Sequence, residues 1–151
     1  MTPEQFQRLL KSQKQAIAHA IKRTIPVKLA TTAQHHFRDN FQKSGFVDDG
    51  VKPWKRSKRQ DDPKHPDRAY KTLLSRRDHL YKSISKKTEP AKAIVYTEVP
   101  YAKAHNEGTS TAGRKHNVRI PKRQFMGESK QLNSKCKKVI EDELQKILNN
   151  Q

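Results

Sequence analysis

Apolar positions fall at helical spacing near both ends of this chain and alternate in its middle. Phe6, Leu10, Ile17 and Ile21 form one stripe, with Leu9 and Ala20 beside it, which predicts an amphipathic helix. Thr2 suits its N-cap, Pro3 its first position and Gln5 the reciprocal capping position. Pro26 breaks or restarts the pattern. Ala30, Ala33, Phe37 and Phe41 define a second helix, with Gly45 as its C-terminal cap. At the other end, Leu132, Cys136, Val139, Ile140, Leu144 and Ile147 share one face of a last helix.

The middle is less regular. Asp48 to Arg68 is charged and holds three prolines, so it reads as an extended, partly ordered connection. Trp54 stands out there, because so large a ring needs a surface to cover: either the domain itself, which it would pin, or a partner. The pairs Asp48-Asp49 and Asp61-Asp62 read as capping or solvated groups. Tyr70, Leu73, Leu74 and Leu80 predict a short helical stretch that passes into an alternating strand from Tyr81 to Thr88. Glu89 to Lys92 makes a turn, and the β-branched and aromatic residues after it predict a second strand, the two forming a hairpin. Ala104 to Asn117 has no periodicity and carries two of the five glycines, which predicts a long loop. Val118 to Phe125 returns as a short strand that Pro121 confines to an edge.

These elements predict an α+β fold, with long N-terminal and C-terminal helices packed on a small antiparallel β-sheet and a long basic loop. Residues 1–151 read as a single domain. Its parts are a helical segment over 1–45, a charged proline-containing loop over 48–68, a sheet region over 69–127 with its loop at 103–119, and a helix over 128–149.

Composition changes this picture in one respect. Lys and Arg outnumber Asp and Glu by 33 to 15, a formal charge of +18. Leu, Ile, Val and Phe together make up only 29 of 151 residues, near the boundary at which chains stay disordered. The core is expected to be thin and the compact state strained by self-repulsion, so the chain is expected to be completed by partners. The charge fits nucleic acid, an acidic protein surface, or a basic surface with no specific partner. The N-terminus is polar without an apolar leader, and no run is long enough to span a membrane. The single Cys136 sits on the apolar stripe as a structural residue and excludes an intrachain disulfide.

Candidate chemistry is sparse. No phosphate-binding glycine loop, nucleophile elbow or paired-cysteine zinc signature is present. His35 and His36 point about 100° apart on a helix, too far to share a metal. His105 and Glu107 resemble the start of a deaminase signature, but the paired cysteines downstream are missing, and His105 reads as the strand-to-loop junction. Neither catalysis, a cofactor, a metal nor a small-molecule substrate is expected. The basic runs "KPWKRSKRQ" and "GRKHNVRIPKR" would bind nucleic acid without sequence preference.

One resemblance orders the landmarks. Trp54, then Leu73, Leu74, Leu80, Ser83 and Ile84, then Tyr101, Ala102, His105 and Gly108, then Pro121, Arg123, Phe125 and Gly127 follow the pattern of the phage virion morphogenesis or tail-completion family. This Mu-like group comprises small head-tail joining proteins, and the resemblance covers Val51 to Leu148. Arg77-Asp78 stands where that family often has Thr-Gly, and Met126 where it often has Leu.

The resemblance implies a non-enzymatic structural protein of the virion, assembled in the bacterial host cytoplasm. It implies a ring, commonly of six copies, that completes the tail or neck and joins it to the DNA-filled head. Its implied partners are itself and other phage tail, neck and head proteins, with non-specific DNA contact possible in passing. In that reading Tyr101 and Phe125 anchor the two ends of the loop. Arg114, Lys115 and Arg119 reach from it to a neighbour, and Trp54, His105 and Arg123 complete the interaction candidates. The alternative is a sequence-nonspecific basic DNA-binding protein.

Overall fold

Thr2 opens the first helix as its sequence predicts: its hydroxyl accepts from the Gln5 amide at 3.2 Å, and the Gln5 side chain accepts from the Thr2 amide at 2.8 Å. The computed structural model describes residues 1–150. Helix α1 (Pro3–His19) runs without interruption through a π-helical turn at Ala20–Thr24 into α2 (Ile25–Lys43). Pro26 therefore does not end the helix. Its missing N–H frees a carbonyl one turn back, and the widened turn absorbs the ring. The Lys22 carbonyl instead accepts from the Ala91 amide at 3.2 Å.

Helix α2 ends at Ser44, which takes the left-handed conformation (φ 51°) expected of Gly45. Gly45 has a different task. It opens strand β1 (Gly45–Val47), which pairs with β2 (Val51–Pro53), and a Cβ there would lie 2.7 Å from the Lys52 carbonyl oxygen. The expected helical stretch at Tyr70 to Leu80 is instead a set of turns leading to a five-residue helix α3 (His79–Ser83). Asp78, where the resemblance implies glycine, is left-handed (φ 49°). Its carboxylate accepts from the Ser75 amide and its amide donates to the Ser75 hydroxyl, both at 3.0 Å.

Strands β3 (Ser85–Glu89) and β4 (Lys92–Tyr96) form the hairpin that the alternation predicts, turning at Pro90-Ala91. The region 103–119 is not a loop. It contains helix α4 (Ala102–Glu107) and a hairpin of β5 (Thr109–Ala112) with β6 (Val118–Ile120). His105 lies within α4, not at a strand end. Helix α5 (Lys130–Asn149) packs along α2 and reaches α1.

The α+β class stands, with one correction: the strands of the described residues form three separate antiparallel hairpins, not one sheet. What unites them is a core of Phe37, Phe41, Trp54, Leu74, Leu80, Ile84, Ala102, Phe125 and Leu132. Phe41 is fully buried and takes the rings of Trp54, Tyr81 and Phe125 around it, with centroids at 5.7, 5.8 and 5.2 Å. Helix α1 contributes no buried residue, and Phe6 and Leu10 are about half exposed (51% and 49%) on its apolar stripe.

Candidate functional site

The motif residues divide into two groups. Trp54, Leu74, Leu80, Ile84, Ala102 and Phe125 are core. Trp54 pins its loop to the domain: its indole N–H donates to the Gln124 carbonyl at 2.8 Å, and its amide donates to the Ser44 carbonyl at 2.8 Å. The segment Arg123–Met126 is held by its backbone. Asn40 donates to the Phe125 carbonyl at 2.9 Å, and the Asn106 side-chain oxygen accepts from the Phe125 and Met126 amides at 2.9 and 3.0 Å. Phe125 is thus an anchor. Tyr101 is not: it is exposed, and its ring lies edge-on to His105 (5.9 Å) and tilted against His79 (6.3 Å).

The second group gathers at a concavity between the Trp54 loop and α4. Arg123 donates through Nε to the Lys55 carbonyl (2.8 Å) and through Nη2 to the Arg56 carbonyl (3.3 Å), while its amide donates to the His105 carbonyl (2.8 Å). Arg59 reaches the same place from the other side, donating through Nη2 to the Leu74 and Lys71 carbonyls. A cavity of about 200 Å³ lies among Arg59, Leu73, Leu74, Leu80, Tyr101, His105 and Arg123. A groove of about 780 Å³ along Lys55, Arg56, Lys58, Arg119, Lys122 and Arg123 shares Ser57, His105 and Arg123 with it. Among the described residues, no Asp or Glu lines either one.

The electrostatics follow from that lining. Burial lowers the His105 pKa and the nearby Arg123 charge lowers it further. Burial, then the Arg59 charge, lowers that of Arg123. Nδ1 of His105 and Nε of Arg59 are buried with no hydrogen-bond partner among the described residues. Sequence reasoning missed Arg59 and His79 as site residues. For Arg59 the signal was the basic run after Trp54; for His79 there was none.

The basic tip stands apart. Arg114 and Lys115 lie exposed in the β5–β6 turn, and Arg119 is exposed on β6 at the rim of the groove. A further constellation, His36 with Ser129, resembles a nucleophile pair but is spent on structure. Ser129 Oγ donates to the Val47 carbonyl at 2.7 Å and accepts from the Leu132 amide at 3.2 Å, capping α5. Lys135 donates to His36 Nδ1 at 3.3 Å, and Ser129 is fully buried, so no substrate reaches it. The capping role expected of Asp48 is present too: its carboxylate accepts from the Lys130 amide at 2.8 Å. No described helix is long and apolar enough to cross a membrane.

Trp54, Leu74, Leu80, Ile84, Ala102 and Phe125 build the interior, and six Lys and Arg side chains line a groove beside it. The chain matches the model of the phage virion morphogenesis family over residues 3–145 and belongs to that family. The match takes in both N-terminal helices, beyond the span of the motif resemblance. No curated protein and no solved structure matches it. Membership gives the chain a role in phage assembly and an association with other phage proteins.

Proposed function

We propose that this chain is a non-enzymatic component of the virion that completes the tail or neck and joins tail to head, assembling as a ring of its own copies. The observation that carries the ring is the half-exposed apolar stripe that begins on α1. Phe6 and Leu10 lie 51% and 49% exposed on α1, which has no buried residue, and Ile21 in the π-helical turn after it is 46% exposed, in a chain with little apolar surface to spare. The hairpin tip at Arg114 and Lys115, with Arg119 behind it, is the element free to reach an adjacent subunit or docking partner. Trp54 and Phe125 act from within, holding the segments that carry the groove.

An amber mutant of the gene tests this. Filled heads and separate tails by electron microscopy are expected, with joining restored by the wild-type chain and impaired by the Arg114→Ser, Lys115→Ser, Arg119→Ser variant. Normal particles from the amber mutant would refute it.

A second reading, sequence-nonspecific DNA binding, is favoured by the same exposed tip and by the +18 charge. It requires submicromolar duplex binding that falls by orders of magnitude between low and physiological salt.

A further inference from the structure

The cavity among Arg59, His105 and Arg123 is lined by two guanidinium groups and three leucines, and among the described residues no carboxylate lines it. Folded proteins rarely bury like charges together without a counter-ion. Here the guanidinium bonds to carbonyls are made by Nη2 of Arg59 and by Nε and Nη2 of Arg123, which leaves Nη1 of each for another acceptor. Leu74 and Leu80 are buried and form the apolar side of the same concavity.

We propose that this cavity and its groove receive an acidic peptide segment of a partner protein, a carboxylate seated against Arg59, His105 and Arg123 and an adjoining apolar side chain against the leucines. Charge complementarity selects the occupant, since a carboxylate supplies the missing counter-charge and matches the planar fork of Arg. Shape selects a peptide over nucleic acid. A recess of about 200 Å³ walled by buried leucines admits one side chain but not a duplex. The adjacent groove of about 780 Å³ adds Lys55, Lys58 and Lys122 for further acidic residues. The inference rests on reading the chain as an assembly component and names the chemistry of what docks.

Fluorescence anisotropy of the full chain with a fluorescein-labelled peptide alternating Glu and Leu tests it. The expected result is binding at least tenfold tighter than that of the Gln/Leu counterpart. Arg59→Gln should weaken it at least tenfold and His105→Phe at least threefold, while Lys137→Ser with Lys138→Ser, exposed on α5 and outside the lining of both, should leave it unchanged. His105→Phe keeps a ring against Tyr101 and breaks no side-chain hydrogen bond, so it reads binding even if Arg59→Gln disturbs the fold. Equal binding of the Gln/Leu peptide, no effect of either variant, or easier displacement by a twelve-nucleotide DNA strand than by unlabelled Glu/Leu peptide would overturn it. Any of these, alongside unjoined heads and tails in the amber mutant, would sink this proposal and leave the assembly reading standing.

Discussion

The indole N–H of Trp54 donates to the carbonyl of Gln124 at 2.8 Å, tying the loop after β2 to the segment that leads into α5. One side of the groove therefore depends on a bond made in the interior. Trp54→Phe keeps the ring but orphans that carbonyl, and is expected to cost about 1 kcal/mol or somewhat more. Trp54→Ala also opens a cavity beside Phe41 and is expected to cost about 3–5 kcal/mol. Thermal unfolding measures both, and head–tail joining at permissive temperature should persist in Trp54→Phe.

Asn40 is a second tether. Fully buried, it donates to the Phe125 carbonyl and accepts from the Val47 amide at 3.1 Å, joining α2 to two other segments. Asn40→Ala strands both groups, at about 1–3 kcal/mol each. In urea unfolding the midpoint should fall with little change in slope. An unchanged midpoint would remove Asn40 from the account.

Much of this framework is legible in the sequence, and the failures have physical causes. The Thr2–Gln5 capping box and the Phe37–Phe41 stripe announce their helices because local chemistry and burial agree there. Residues 103–119 misread as a loop because α4 has only six residues and is held by distant partners, namely Asn106 on the Phe125 and Met126 amides and the His105 carbonyl on the Arg123 amide. The run Thr-Ser-Thr-Ala in β5 carries no apolar alternation to announce a strand. The motif resemblance makes Tyr101 an anchor; the neighbouring small residue Ala102 is the one buried in the core. The basic groove was half visible, as Arg123 and the run after Trp54. Its closure depends on Arg59 and Arg123 meeting across residues far apart in sequence, which no periodicity reports.

Stability should fall as the solution becomes mildly acidic. His36 has its pKa lowered first by burial and then by the Lys135 charge, and His105 by burial and then by Arg123. Asp39 and the Val47 carbonyl oppose the shift at His36, and Lys43 adds to it. Between a lowered folded pKa and the ordinary value of about 6.5, the unfolded chain binds more protons. The stabilisation is therefore complete above about pH 6.5 and shrinks below it, before the carboxylates titrate. Each kcal/mol lost lowers Tm by roughly 2–4 °C for a chain this size. Calorimetry at about pH 7.5 and pH 5 should show the drop, and His105→Phe should lessen it.

Salt should act in the opposite sense to its usual effect on ion pairs. At +18 the folded state repels itself, and exposed pairs such as Arg56–Asp61 return little. Raising sodium chloride from about 20 to 300 mM shortens the screening length from roughly 20 Å to about 6 Å. The midpoint of thermal unfolding should rise over that range. A fall would show that local ion pairs outweigh the global repulsion.

The reading of this chain as a joining ring is tested most directly by its place and copy number in purified virions. Electron cryomicroscopy, with quantitative mass spectrometry on the same particles, should find one small ring of copies where the tail meets the head. A chain absent from mature particles, or distributed along the tail in proportion to its length, would contradict that account.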